Sequence, residues 1–355
     1  MSKTKARKWV ISFICIVLSV LLLLSATVYI IDPFMQFREK DNAYMLSAWF
    51  VSSGLIRNYD YDTLVLGSSM TWNFNMDTFR NEMGVKPLRI GIGGMRPVEM
   101  IDLIDVAYES GKADTYILST DMYVFTISEE DSRYPQYLLK NDLLSRLRYF
   151  FSYEVWFRYI PIDIAFMLLD ALKIDLPPKF AYSKSIDHLE DCSLDFVYAE
   201  DVVLANYNSG KYAVSSVDTE NLYQRMVEQI DAFLCQFDYS KGEHIFFFPP
   251  YSALYWCDSR NEGYMDAYLL AKQYFVEQAS GYGATVYDFQ AEDYVMDLNN
   301  YKDTTHYSPE INDMIVKSFS EGTHIATVEN TAQTQQKLSE NIIAFFETRT
   351  DIFEK

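Results

Sequence analysis

Three short segments of the 355-residue chain carry side chains suited to nucleophilic chemistry. Gly67-Ser68-Ser69 closes a short apolar run and opens a helical stretch. A serine at such a turn lies near the free N–H groups of a helix start, which can stabilise an oxyanion. Two serines before a helix also serve simply as N-caps, and for this segment alone that alternative stands. Gly91-Ile-Gly-Gly94 follows a second apolar run. Glycine lets backbone approach a ligand closely, so one of these N–H groups can aim at a developing negative charge. The segment is not a GxGxxG loop, and GxxxxGK[ST] is absent from the chain. Asp303-Thr-Thr-His306 supplies the third part. Its spacing lets the carboxylate hold one imidazole nitrogen while the other faces a hydroxyl. The chemistry expected is acyl transfer. His306 takes the proton of a serine in the first segment, Asp303 holds the neutral tautomer, and backbone N–H groups of the first two segments stabilise the tetrahedral oxyanion.

Such parts need a scaffold that gathers strand ends. Thr63–Gly67, Leu88–Gly91, Thr115–Ser119, His244–Phe248 and Thr285–Asp288 are short apolar runs typical of buried parallel strands. Helical spacing lies between them at Met76–Met83, Pro97–Ser110, Thr219–Phe237 and Tyr264–Ser280. This alternation predicts an α/β fold, a parallel sheet sandwiched between helical layers. Ligands of open parallel sheets gather at the carboxyl ends of the strands, where Ser69 and Gly91 fall. The expected domain spans 61–324, with an aromatic-rich helical insertion at about 128–216 that includes the Pro177-Pro178 break. A connector with helical stretches covers 32–60. A polar helical tail covers 325–355, with Leu338, Ile342, Ile343 and Phe346 on one face. That face either packs on the domain or binds a partner.

The order and spacing of the three segments resemble the SGNH/GDSL hydrolase superfamily over roughly residues 60 to 320, minus the insertion. The resemblance implies a flavodoxin-like three-layer α/β/α fold, with Ser69 as nucleophile and Gly91 in the glycine block. It also implies that Asp303 and His306 form the last block. The superfamily's Gly-x-Asn-Asp after the third strand is replaced here by Leu118-Ser-Thr-Asp121-Met-Tyr. No Asn donates at that point, and an ionised Asp121 only accepts. The Gly-Ser-Ser version, one N-terminal apolar segment and Phe-Phe-Pro249-Pro250-Tyr251-Ser look like a divergent branch. That branch includes the D-alanyl transfer protein of teichoic acids and the alginate O-acetylation proteins. It implies transfer of an acyl group to a cell-envelope polymer beside a membrane-bound O-acyltransferase. Asp121 is then a candidate substrate contact. Tyr251, Tyr255 and Trp256 either stack on sugar rings or pack as core or lid.

Composition bounds the rest. Apolar residues are 49 % and charged residues 23 %, which excludes wholesale disorder. A net charge of −20 disfavours nucleic acid, whose phosphates need a positive footprint. The 28 Tyr and 24 Phe suit either a binding surface or a core. Lys3, Lys5, Arg7 and Lys8 precede the uncharged stretch Trp9–Ile31, long enough to span a bilayer. Positive charge on that side predicts residues 1–8 in the cytoplasm, an anchor at 9–31, and the remainder outside. A cleaved signal peptide is the rival reading; the apolar run past Ser25-Ala26-Thr27 favours the anchor. Cys15 lies in that stretch, and Cys192, Cys235 and Cys257 allow one disulfide at most. With no CxxC pair and His188, His244, His306 and His324 scattered, no metal site or cofactor is expected.

Overall fold

The computed structural model describes residues 3–40, 47–127, 131–174, 196–207 and 217–353. Helices α1 (Lys3–Ile31) and α2 (Ala48–Asn58) precede β1 (Thr63–Gly67), α3 (Met76–Met83), β2 (Pro87–Gly91), α4 (Pro97–Ser110) and β3 (Thr115–Ser119). Helices α5 (Gln136–Leu139), α6 (Leu143–Phe150) and α7 (Ile160–Ala171) follow, and then β4 (Glu243–Phe248) and β5 (Thr285–Asp288). The chain divides into two units, one of residues 1–59 and 134–187, the other of 60–133 and 188–355.

The second unit is built on a five-stranded, wholly parallel sheet of order β2-β1-β3-β4-β5. Its strands are buried almost throughout, so each reads as a continuous apolar run rather than an alternating one. Gly67 pairs with Gly91, Leu66 with Leu118, and Ser119 with Phe247, so the carboxyl ends share one edge. The chain leaves β1 toward β2 on one side and later returns to β3 on the other. A crevice opens where such an order reverses, between β1 and β3. Helix α3 packs against Pro309–Glu321, and helix Thr219–Leu234 against Met265–Gly281. The tail forms Val328–Thr348, which buries Leu338, Ile342 and Phe345 and packs on Ala253–Asn261 and Met265–Gly281.

The first unit joins α1 and α2 with α5–α7. Helix α1 is long and apolar enough to cross a membrane. Its last carbonyls, Ile30 and Ile31, accept from Arg38 Nη2 (2.5 Å) and Lys40 Nζ (2.6 Å), which satisfies groups a helix end leaves open. Asp32 then accepts from the N–H groups of Gln36 and Phe37 at 2.9 and 3.0 Å and from the Tyr149 hydroxyl at 3.0 Å. Burial pushes the Asp32 carboxyl up despite these bonds. Phe34, Phe50, Tyr149 and Tyr159 form this unit's aromatic core. The Pro177-Pro178 break, His188 and Cys192 lie outside the described residues.

One interior ion pair secures the sheet edge. Lys272, 1 % exposed, donates to Asp288 at the end of β5 (2.8 Å) and to Gln290 (3.0 Å). Removing one partner strands the other charge in the core, at about 3–5 kcal/mol. Lys272→Met should lower unfolding stability by that amount in urea titration, and adding Asp288→Leu should recover most of it.

Candidate active site

The nucleophile turn is short and crowded. After β1 the chain enters a single 3-10 turn, Ser69–Thr71, whose N-cap Ser68 accepts from Met70 N–H at 3.3 Å. Ser68 and Met70 are buried; Ser69 between them is partly exposed. Its N–H opens the turn, where helical geometry supplies no acceptor. A Cβ on Gly67 would stand 2.5 Å from Ser119 Cβ and 2.7 Å from Thr71 Cγ2, so only glycine lets β1, β3 and this turn meet.

His306 comes from the loop after β5. Its Nε2 lies 2.8 Å from Ser69 Oγ, and its Nδ1 lies 2.9 and 2.8 Å from the two carboxylate oxygens of Asp303. Asp303 Oδ1 also accepts the backbone N–H of Thr305 (2.9 Å) and of His306 (2.8 Å). Partial burial alone would raise the Asp303 carboxyl. The hydrogen bonds and charge of His306, with the two backbone N–H groups, outweigh it and hold the carboxyl well below its usual range. Asp303 therefore stays ionised and anchors the Nδ1–H tautomer, leaving Nε2 to accept a proton from Ser69.

Other bonds fasten this loop to the turn. The Tyr307 hydroxyl donates to Met70 O at 3.2 Å, and Asn73 Nδ2 donates to Tyr307 O at 3.2 Å. Ser252 donates through Oγ to Thr304 O at 2.7 Å, and Tyr301 OH donates to Pro250 O at 2.8 Å. Nucleophile and base, 237 residues apart, are thus held from both sides.

Trp72, one helical turn after Ser69, escaped the sequence reading. Its indole stacks near-parallel on the His306 imidazole (6.3 Å between centroids, 19° between planes) and donates from Nε1 to Gly91 O at 3.1 Å. A Cβ on Gly91 would come within 2.6 Å of Trp72 Cδ1. The glycine at the end of β2 therefore makes room for a side chain of this protein, beyond any approach to a ligand. Spacing from Ser69 was the only available signal, and an aromatic there reads equally well as core. Gly94, further along the segment, is held by Arg133, which donates to its carbonyl at 2.7 Å and pairs with buried Glu99.

For the remaining expected residues, burial decides between the alternatives the sequence left open. Tyr251 and Trp256 are 2 % and 1 % exposed, so neither ring offers a face to a sugar from solvent. Aromatic residues after a strand satisfy packing as readily as stacking, and here packing takes them. Tyr255 lies against both, 4.4 Å and 5.5 Å between ring centroids. Asp121 is buried too, hydrogen-bonded to the Tyr251 hydroxyl and to Ser68, the nucleophile's neighbour. Burial pushes its carboxyl up, against the pull of Ser68, Tyr251 and the charge of His306. The drift is toward a neutral acid, which keeps one donor, unlike the ionised carboxylate assumed from the sequence.

Among the described residues no cluster of His, Cys, Asp and Glu is placed to hold a metal ion. Comparison with protein-family models and with curated proteins finds no match for this chain.

A carboxyl raised by folding costs stability as pH climbs above its unfolded value, because the folded state binds its proton more tightly. Asp121→Asn removes that cost and keeps an acceptor for Tyr251. The melting temperature of the variant relative to wild type should rise as the pH climbs above the ordinary carboxyl value of about 4. Asp121→Ala instead strands the Tyr251 hydroxyl and should cost about 1–3 kcal/mol.

Proposed function

We propose that the chain is a serine-dependent acyl-ester hydrolase or acyltransferase of the SGNH type, with a three-layer α/β/α catalytic domain. The observation that carries this reading is the continuous relay from Ser69 Oγ to His306 Nε2 (2.8 Å) and from His306 Nδ1 to Asp303 (2.8 Å). His306 accepts the serine proton as Ser69 Oγ attacks the acyl carbonyl; Asp303 stabilises the imidazolium that forms. The N–H of Ser69, with that of Gly91, stabilises the oxyanion. His306 then returns the proton to the departing alkoxide, and water or an acceptor hydroxyl releases the acyl group from Ser69. Hydrolysis and transfer share every step but the last.

Helix α1 supports a single-pass anchor with residues 1–8 cytoplasmic and the catalytic domain outside the cell. On that reading the acceptor is a hydroxyl-bearing cell-envelope polymer, and a membrane-bound O-acyltransferase supplies the acyl group. No nucleic acid or cofactor takes part. A second reading rests on Asp121. It lies in the segment that lacks the superfamily's Asn donor, and it is already engaged by Tyr251 and Ser68. Loss of one oxyanion donor removes about 2.7–4 kcal/mol of transition-state stabilisation. In that case the chain is a catalytically weak assembly subunit that holds polymer or acyltransferase.

A fluorophosphonate probe separates the two. The enzyme reading predicts stoichiometric labelling of wild type, none of Ser69→Ala, and labelling of Asp303→Asn slowed by about 10³–10⁴. Absence of labelling on folded wild type favours the assembly reading.

A further inference from the structure

Around its aromatic core, the first unit turns apolar stripes of two helices outward, the reverse of what a surface in water presents. On α7, Ile164, Met167, Leu168 and Leu172 form one stripe at helical spacing, and all four are exposed. The residues it turns inward include Asp163, 2 % exposed. On α6, Leu143 and Leu144 are 75 % and 76 % exposed, with Leu147 and Phe151 continuing the stripe, while Ser145 and Tyr149 are buried. Between these helices the stacked rings of Tyr153 and Phe157 are 72 % and 73 % exposed. Exposed apolar stripes of this kind mark a binding partner.

The position of α1 says which partner. Both α6 and α7 pack on α1. The anchor is bare over its first two thirds and becomes covered only toward its end, at Val28 and Ile31. Trp9 and Tyr29, both exposed, are separated by about 30 Å of helix at 1.5 Å per residue, the thickness of the hydrocarbon core. Tyr29 is stacked under the Arg38 guanidinium, 5.2 Å from the ring centre, as an interfacial aromatic would be. The turns of α1 that α6 and α7 cover are therefore those that leave the bilayer, within the roughly 5–10 Å to which interfacial helices sink. Charge agrees. Past the anchor, the first unit has 10 Lys and Arg against 9 Asp and Glu, whereas the second has 16 against 41. Lys140, Arg146, Arg158 and Lys173 are exposed beside the apolar stripes, placed to meet lipid phosphates.

We propose that α6, the Val155–Tyr159 turn and α7 form a lipid-embedded platform, sunk into the bilayer leaflet that α1 enters on leaving the membrane. The proposal rests on the reading of α1 as a membrane anchor. It assigns this surface to lipid rather than to a partner protein. The chain is then held by one spanning helix and a second, shallow contact, which fixes the first unit against the membrane plane instead of leaving it on a tether.

The test is spin-label accessibility in the full chain, reconstituted alone into nanodiscs of phosphatidylglycerol and phosphatidylcholine. Cys15, Cys192, Cys235 and Cys257 are replaced by Ala, and single labels are placed at Leu18, Leu144, Met167 or Gln336. Labels at Leu144 and Met167, like that at Leu18, should be relaxed several-fold more by oxygen than by a water-soluble nickel chelate. Gln336 should show the reverse. Leu18 in lipid with Leu144 and Met167 open to nickel overturns the platform while the anchor stands. All three open to nickel overturns the anchor and the platform with it. Leu144 and Met167 shielded from both relaxants means a second copy covers the face, and this too overturns the lipid assignment.

Discussion

The Asp303 carboxylate holds the site together through a geometric coincidence that its loop enforces. Both of its oxygens orient the His306 imidazole, and one of them, Oδ1, also accepts the N–H groups of Thr305 and His306. Loop conformation and imidazole orientation are thus one constraint, not two. A carboxylate bound by this many donors stays ionised, and its charge in turn favours the imidazolium that must form when Ser69 loses its proton. Tyr307 ties that loop to the turn after β1, while Tyr301 and Thr304 tie it to the segment after β4.

The sheet does the complementary work. Parallel strands cut off at a common edge leave β1 and β3 side by side, with a serine turn after one and a buried acid after the other. Gly67 lets the turn sit close, and Gly91 admits Trp72, whose indole backs the imidazole. Acidic charge belongs to this unit almost entirely, while the unit that carries α1 is close to neutral beyond the anchor. The two units therefore face different physical demands, one set by the Ser69–His306–Asp303 relay and one by an apolar helix.

Much of this was legible in the sequence for specific reasons. Buried parallel strands are runs such as Thr63–Gly67 and Glu243–Phe248, short and apolar without alternation, and few other elements look like that. The Ser69, Asp303 and His306 triplet was legible because each residue type has a narrow chemical use at its spacing. What stayed hidden depended on distant partners. Nothing near Trp72 marks it as the neighbour of a histidine far along the chain. Nothing near Asp121 reveals that Tyr251 caps it. The aromatic segment expected as an insertion joins the N-terminal helices through pairs such as Tyr149 with Asp32, 117 residues apart. Tyr251 and Trp256 stayed undecided because an aromatic ring suits a core and a sugar equally well, and only their burial settles it.

The central claim is that Ser69 is activated by His306 and becomes acylated. Mixing the full chain with excess p-nitrophenyl acetate and following both nitrophenolate release and intact mass tests it directly. The account predicts a burst of about one nitrophenolate per chain. It also predicts a matching acetyl adduct that maps to Ser69 and is absent from His306→Ala. A folded chain that gives no burst, or one acetylated elsewhere at an unchanged rate when Ser69 is replaced, would contradict it.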